Sequence, residues 1–174
     1  MQTPPLPLHE ALRVKTLRDC LILDTPPEER FDTLTDYAAQ IFNVPIALIT
    51  FVDENRQWFK ARHGMSATET PRDVSFCGHA ILSDEVMIVE DTLKDERFAD
   101  NPLVTGDPKI RFYAGAPLIM ENGMRLGTLC LISRRPKTID SWEAGHLRDL
   151  AKVAVLELQG LPTPQFRKDY PFQR

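Results

Sequence analysis

The sequence predicts an α/β (α+β) domain of three layers, in which helices cover both faces of a central antiparallel sheet. Two runs, residues 46–52 and 125–133, are apolar on both faces, and each is joined to a neighbouring strand by a short turn. Antiparallel strands that are buried on both faces need helices on both sides of the sheet. A chain of 174 residues, 43% hydrophobic and 26% charged, is large enough to bury such a core as one domain.

Two helices are predicted before the sheet. The first covers residues 8–21, where leucines recur at helical spacing; they are Leu8, Leu12, Leu17 and Leu21. The second helix begins after Thr25-Pro26-Pro27-Glu28, which has the pattern of a capping box, and it ends near Asn43. The strand at 46–52 then forms a hairpin with residues 57–62.

The second half of the chain contains a long irregular insert. A short helix at 76–82 and a short strand at 86–90 lead into residues 91–110, which are charged and interrupted by prolines and a glycine. Segments of this length without regular structure are usually functional in a compact domain, so we expect residues 91–110 to cover a site. The remaining predicted elements are, in order, the strands at 112–120 and 125–133 and a capped helix at 140–158.

Composition and charge exclude several classes of partner and compartment. The net charge of −4, without a basic run, argues against nucleic acid, and no apolar stretch approaches the ~20 residues of a membrane span. The first residues lack the pattern of a signal peptide, and the three distant cysteines do not suggest a disulfide framework. We therefore expect a cytoplasmic, reduced protein. Prolines near both ends predict extended tails at 1–7 and 160–174 around a domain of residues 8–159.

Several segments together resemble a GAF domain, of the bacterial branch that often precedes output domains such as histidine kinases or diguanylate cyclases. The resemblance covers about residues 12–159 and is carried by the segments 21–32, 44–49, 56–60, 75–81, 95–104, 110–118 and 126–130. It implies a five- or six-stranded antiparallel sheet, with the terminal helices on one face, where members commonly dimerise. It also implies that the insert at 91–110 caps the other face and encloses a small-molecule pocket.

We expect this pocket to be formed around the insert and the short helix. The candidate ligand-binding residues are Phe51, Trp58, Phe76, Cys77, His79, Asp91, Arg111 and Tyr113. Arg111 can bind an anionic ligand bidentately, or it can hold the insert by pairing with one of its acids, which include Asp91, Asp95 and Asp100. The insert is acidic and the cyclic-nucleotide signature of GAF domains is absent as a unit, so phosphates and cyclic nucleotides are not favoured.

The Cys77-Gly78-His79 unit has several interpretations. A metal half-site would need two more ligands, and no second cluster stands out, so no metal is expected. GAF domains that attach a bilin usually place the histidine directly after the cysteine, whereas Gly78 intervenes here. A reactive thiol at the start of a helix, and a small residue packed in the core, both stay open. The sequence identifies no cofactor.

The sequence therefore predicts a non-catalytic sensory or regulatory domain that binds a small molecule under residues 91–110. A homodimer would form through the helices at 8–21 and 142–158. Because the 174 residues contain no output domain, the signal would pass to an unidentified partner protein. Two alternatives stay open: a GAF-fold scaffold that associates without a ligand, and a thiol enzyme of the free-methionine sulfoxide reductase type, in which Cys77 and Cys130 would act.

Overall fold

Six antiparallel strands form one sheet in the order β3-β2-β1-β6-β5-β4. The computed structural model describes residues 1–163. The strands are β1 Ile46–Val52, β2 Arg56–His63, β3 Glu69–Pro71, β4 Met87–Val89, β5 Phe112–Ile119 and β6 Arg125–Ser133. The predicted antiparallel sheet is confirmed. The edge strand β3, which pairs with β2 through Gln57 and Thr70, was not predicted from the sequence.

Helices cover both faces of the sheet, as the apolar strands predict. The helices are α1 Glu10–Asp19, α2 Glu29–Ile41, α3 Phe76–Ala80, α4 Pro102–Thr105 and α5 Ser141–Leu158. Along β1, Ala47, Ile49 and Phe51 face the core under α2 and α5. The alternating residues Ile46 and Leu48 face a second core under α3 and residues 91–110. The strand therefore contributes to two cores because successive side chains point to opposite faces.

The first helix is shorter than predicted and buries different residues. It begins at Glu10, and its buried residues are Arg13, Val14 and Leu17. Leu8, Leu12 and Leu21 of the predicted apolar stripe are 87%, 46% and 82% exposed. Leu17 alone of the four leucines is buried, because the contact that anchors this helix is polar: Arg13, which pairs with Glu10 of the same helix, donates through Nη1 to the Val52 carbonyl at 2.7 Å.

The predicted capping box before α2 is also wrong. Glu28 is the N-cap residue, and no side chain caps the helix. The residues of this segment instead surround the buried ammonium of Lys60. Its Nζ donates to Thr25 Oγ1 at 2.8 Å and to the Pro26 carbonyl at 2.6 Å, and it pairs with Glu28 at 2.6 Å. The residues before α2 therefore stabilise the buried ammonium of Lys60, which is distant in sequence, and do not cap the helix.

The final helix begins as predicted, with a capping box formed by Asp140 and Glu143. Residues 142–158 of this helix were predicted to contribute to a homodimer. In the structure Val153 and Val155 are already buried within the chain, because the helix packs against both α2 and β5. No helix among residues 1–163 is long and apolar enough to cross a bilayer. Of the predicted tail at 160–174, residues 164–174 lie outside the described part of the chain.

Candidate functional site

Residues 91–110, here called the insert, lie across the sheet face opposite α2 and α5. Their two ends are joined by buried hydrogen bonds. Thr92 Oγ1 donates to the Ile110 carbonyl at 2.7 Å, and the Arg111 guanidinium donates to the carbonyls of Val104 and Ile110 at 2.9 Å and 3.1 Å. These contacts close the insert into a compact loop.

The middle of the insert is attached to the segment before α3. Asn101 caps α4 by accepting from the Leu103 amide at 2.9 Å, and its Nδ2 donates to the Val74 carbonyl at 3.0 Å. Phe98 is fully buried and stacks on Phe76 of α3, with ring centroids 4.1 Å apart. The insert and α3 therefore pack as one layer over the sheet.

A small cavity separates this layer from the sheet. It has a volume of about 20 Å³, which is room for about one water molecule. Leu103, Pro108 and Ile110 line it from the insert, and Gln57 and Thr70 line it from the paired strands β2 and β3. Of the described residues that line it, none carries a charged side chain. In this form the predicted pocket is nearly filled.

Cys77 is the centre of a buried polar cluster beside the cavity. Its Sγ lies 3.1 Å from Tyr113 Oη and 3.0 Å from Thr128 Oγ1, and Thr128 Oγ1 lies 3.1 Å from Thr50 Oγ1. Burial raises the pKa of the Cys77 thiol, but hydrogen bonds from the surrounding side chains, including Cys130, lower this pKa to about 7. Burial and the neighbouring Cys77 hold the pKa of Cys130 well above its ordinary value. The two thiols therefore lie in one buried polar cluster.

Gln57 is the polar residue of the cavity whose hydrogen bonding is incomplete. Its side chain is 5% exposed. Nε2 donates to Thr70 Oγ1 over 3.4 Å, and Oε1 is buried without a hydrogen-bond partner. A buried carbonyl oxygen that has lost water and gained no donor is costly. This oxygen is the one unpaired acceptor among the described side chains that line the cavity.

His79 does not face the cavity but binds the N-terminal residues. Its Nε2 lies 3.0 Å from the Gln2 carbonyl, and the Gln2 amide donates to the Arg97 carbonyl of the insert at 3.1 Å. Pro4 is buried against Gly78, where an added Cβ would lie 2.7 Å from Pro4 Cγ. Residues 1–7, predicted as an extended tail, form no helix or strand, and their first part is packed across α3 and the insert.

The structure divides the predicted site residues into four groups. Phe76, Cys77 and Tyr113 line the cavity, while His79 lies on the outer side of α3. Phe51 and Trp58 lie on the opposite face of the sheet, in the core under α2 and α5. Their predicted place beside the pocket is therefore wrong. β1 is apolar on both faces, and β2 places Trp58 on one face and Phe59 on the other, so the alternation of side chains did not indicate which face the insert covers.

Asp91 and Arg111 stabilise the insert from its ends. Asp91 accepts from the Leu93 amide at 3.1 Å and so caps a turn of 3₁₀ helix, Thr92–Lys94. Arg111 donates to backbone carbonyls, rather than to the acids that the sequence suggested. In this conformation neither side chain reaches the cavity.

Two functional features were missed from the sequence. Gln57 was taken as one residue of an alternating strand, and Thr128 as one of an apolar strand. The signal was present for Thr128, because a polar residue within a strand buried on both faces needs a buried partner. No group of three or more histidine, cysteine or acidic side chains among residues 1–163 is placed to hold a metal ion.

Comparisons with known proteins agree with this architecture. The family model described as "GAF domain" matches residues 26–158. The GAF domain of phosphoenolpyruvate-protein phosphotransferase from Acinetobacter superposes with a TM-score of 0.64 at 17% identity, over 86% of this chain and 94% of that one. The blue-light absorbing form of the Thermosynechococcus elongatus PixJ GAF domain gives 0.63 at 16% identity, over 84% and 89% of the two chains. At these identities the two structures support the fold alone.

A curated relative corrects the prediction that the chain is non-catalytic. This relative, from Pseudomonas aeruginosa, is named cyclic di-GMP phosphodiesterase PA2567 and is 45% identical over 167 residues, which is 95% of this chain. That expectation is wrong, because the relative that matches nearly the whole chain is named as an enzyme. The chain spans 28% of the relative's length. The fold, the match over residues 26–158 and this relative together show that the chain belongs to the GAF domain family.

Proposed function

We propose that this GAF domain is the sensory part of a cyclic di-GMP signalling protein. It binds a small molecule between the insert and the sheet, and binding changes the rate of cyclic di-GMP hydrolysis. The link to hydrolysis is supported by the relative named as a cyclic di-GMP phosphodiesterase, whose 45% identity extends over 95% of this chain. The free thiols of Cys20, Cys77 and Cys130 favour a reducing compartment, and we place the domain in the cytoplasm.

Ligand binding is supported by one observation, which is the cavity with an unpaired buried acceptor under the insert. A native core is normally packed without voids and with its polar groups paired. Here the space between the insert and the sheet departs from both rules at the same place, beside Gln57. A ligand larger than one water molecule enters by displacing the insert, whose side chains form the upper wall of the cavity.

A displacement of the insert can affect α1 through the N-terminal residues. The N-terminal residues contact both the insert, through the Arg97 carbonyl, and α3, through His79. They lead directly into α1, which carries the exposed Leu12. We propose that this surface, together with the neighbouring Leu8, forms a homodimer and that movement of the insert changes the dimer or its contact with a partner protein.

A chimeric enzyme tests the proposal. The matching segment of the Pseudomonas aeruginosa phosphodiesterase is replaced by this chain, and cyclic di-GMP hydrolysis is measured. Leu103→Trp fills the cavity from the insert side, so we expect it to change the rate of hydrolysis. Leu93→Trp is the matched control, because Leu93 is exposed on the insert and does not line the cavity. If both variants hydrolyse cyclic di-GMP at the rate of the parent chimera, the insert does not regulate the enzyme.

The second candidate function is a scaffold that associates without a ligand. The observation in its favour is the cavity volume of about 20 Å³, which is far below the size of the pockets that enclose a drug-sized molecule. A scaffold would dimerise with the same affinity in the parent chain and in Leu103→Trp. It would also carry no retained small molecule in native mass spectrometry of the freshly purified protein. A retained ligand would exclude this candidate.

A further inference from the structure

Some polar groups of the cavity already have hydrogen-bond partners and one does not, and this difference limits the ligands that can bind. Tyr113 Oη and Cys77 Sγ already pair with each other at 3.1 Å. Thr70 Oγ1 already accepts from Gln57 Nε2. Gln57 Oε1 has no partner among the described residues. The acceptor that a ligand can satisfy is therefore a neutral carbonyl oxygen, and its complement is an N–H or O–H donor.

The remaining lining of the cavity is apolar and contains three aromatic rings. Phe59, Phe76 and Tyr113 line the cavity, and so does the flexible side chain of Met65. Aromatic rings favour stacked or edge-to-face contacts with another ring, and methionine adapts to ligands of different shape. The lining therefore fits a flat apolar body better than a polar or branched one.

The charges near the cavity give no support to an ionised ligand. The Arg111 guanidinium donates to the carbonyls of Val104 and Ile110. The other arginine of this layer, Arg97, pairs with Asp95 at 2.7 Å. A carboxylate or phosphate placed in the cavity would lose its hydration without gaining a cation, which is strongly unfavourable.

We propose that the ligand of this site is an uncharged aromatic molecule with one hydrogen-bond donor, and that the donor pairs with Gln57 Oε1. This inference rests on the proposed function, because it names the class of ligand for the same site. The ring lies between the aromatic side chains and the displaced insert, and the donor points to the β2–β3 edge of the sheet.

The test compares three probes of similar size by ligand-observed NMR. Phenol carries a ring and a donor, toluene lacks the donor, and benzoate carries a charge. We expect phenol to bind the protein about tenfold more tightly than toluene, as one well-made hydrogen bond to a buried acceptor would give, and benzoate to bind most weakly. Gln57→Met keeps the length of the side chain and removes the acceptor, so phenol should fall to the affinity of toluene.

A control variant and the overturning results complete the test. Gln40→Met changes an exposed glutamine of α2 and should leave all three affinities unchanged. Equal binding of phenol and toluene, an unchanged preference in Gln57→Met, or tightest binding by benzoate would overturn the inference while a molecule still binds under the insert. If none of the probes binds, this inference falls, and the Leu103→Trp chimera decides the proposed function separately.

Discussion

Thr92 joins the two ends of the insert by one buried hydrogen bond, so its removal should loosen the insert without unfolding the sheet. Thr92 is fully buried, and its Oγ1 donates to the Ile110 carbonyl at 2.7 Å. Thr92→Val keeps the branched shape and removes the donor. The Ile110 carbonyl keeps a second donor in Arg111 at 3.1 Å, so the loss is the net value of one hydrogen bond, about 1 kcal/mol. That free energy corresponds to about a fivefold increase in the open population.

Native-state hydrogen exchange measures this opening directly. The amides of Val104 and Ile110 bond within the insert, to the carbonyls of Asn101 and Leu103, and should exchange about five times faster in Thr92→Val if opening is local. The amide of Leu131 in β6 should be unaffected. Thr105→Val is the matched control, because Thr105 is exposed and its hydroxyl bond of 3.3 Å is long. Equal acceleration at Leu131, or none at Ile110, would refute the local opening of the insert.

Three further predictions concern the N-terminal residues and α1. Gly78→Ala should displace Pro4, because the new Cβ would lie 2.7 Å from Pro4 Cγ. Hydrogen exchange should then show a loss of amide protection at the N-terminus, which the control Gly145→Ala should not show because its Cβ meets no atom within 4 Å. Burial lowers the pKa of His79 below its ordinary value, so the unfolded chain binds the proton more readily and the free energy of unfolding should fall as the pH drops below about 6.5. Urea unfolding at about pH 7.5 and about pH 5.5 should show a smaller fall in His79→Gln, and an equal fall would contradict the assignment. Leu12→Asp should convert a dimer to a monomer in sedimentation velocity, and a monomeric parent chain would contradict the proposed interface.

Local signals in the sequence predicted most of the fold. The strands β1 and β6 were identified by continuous apolar runs, and the short turn between β5 and β6 contains Gly123, whose φ is +82°. The capping box of α5 depends only on Asp140 and Glu143, which are three residues apart, and it is confirmed. The predictions failed where a distant charge replaced a local contact. Neither the burial of Arg13 against Val52 nor that of Lys60 against Pro26 leaves a signal in the residues nearby.

Only part of the candidate site was predicted, because the sequence does not show which way the side chains of α3 and β2 point. The segment of Phe76 and Cys77 was identified, but the helix turns His79 away from Cys77 towards Gln2. The alternation of β2 groups Gln57 with Phe59 and separates both from Trp58. It cannot say which of these two groups lies under the insert, because helices cover both faces. The contacts of the N-terminal residues join segments about 70 to 100 positions apart, and no local pattern predicts such contacts.

The proposed function requires a small molecule to lie between the insert and the sheet. The most direct measurement is an intermolecular NOE experiment on the protein saturated with phenol, toluene or benzoate, with the methyl groups of Leu103 and Ile110 as reporters. These side chains form the upper wall of the cavity. We expect NOEs from the ring protons of at least one probe to both residues. NOEs found only at the open groove along α1, near Leu6 and Val14, or the absence of NOEs to Leu103 and Ile110 with every probe, would contradict it.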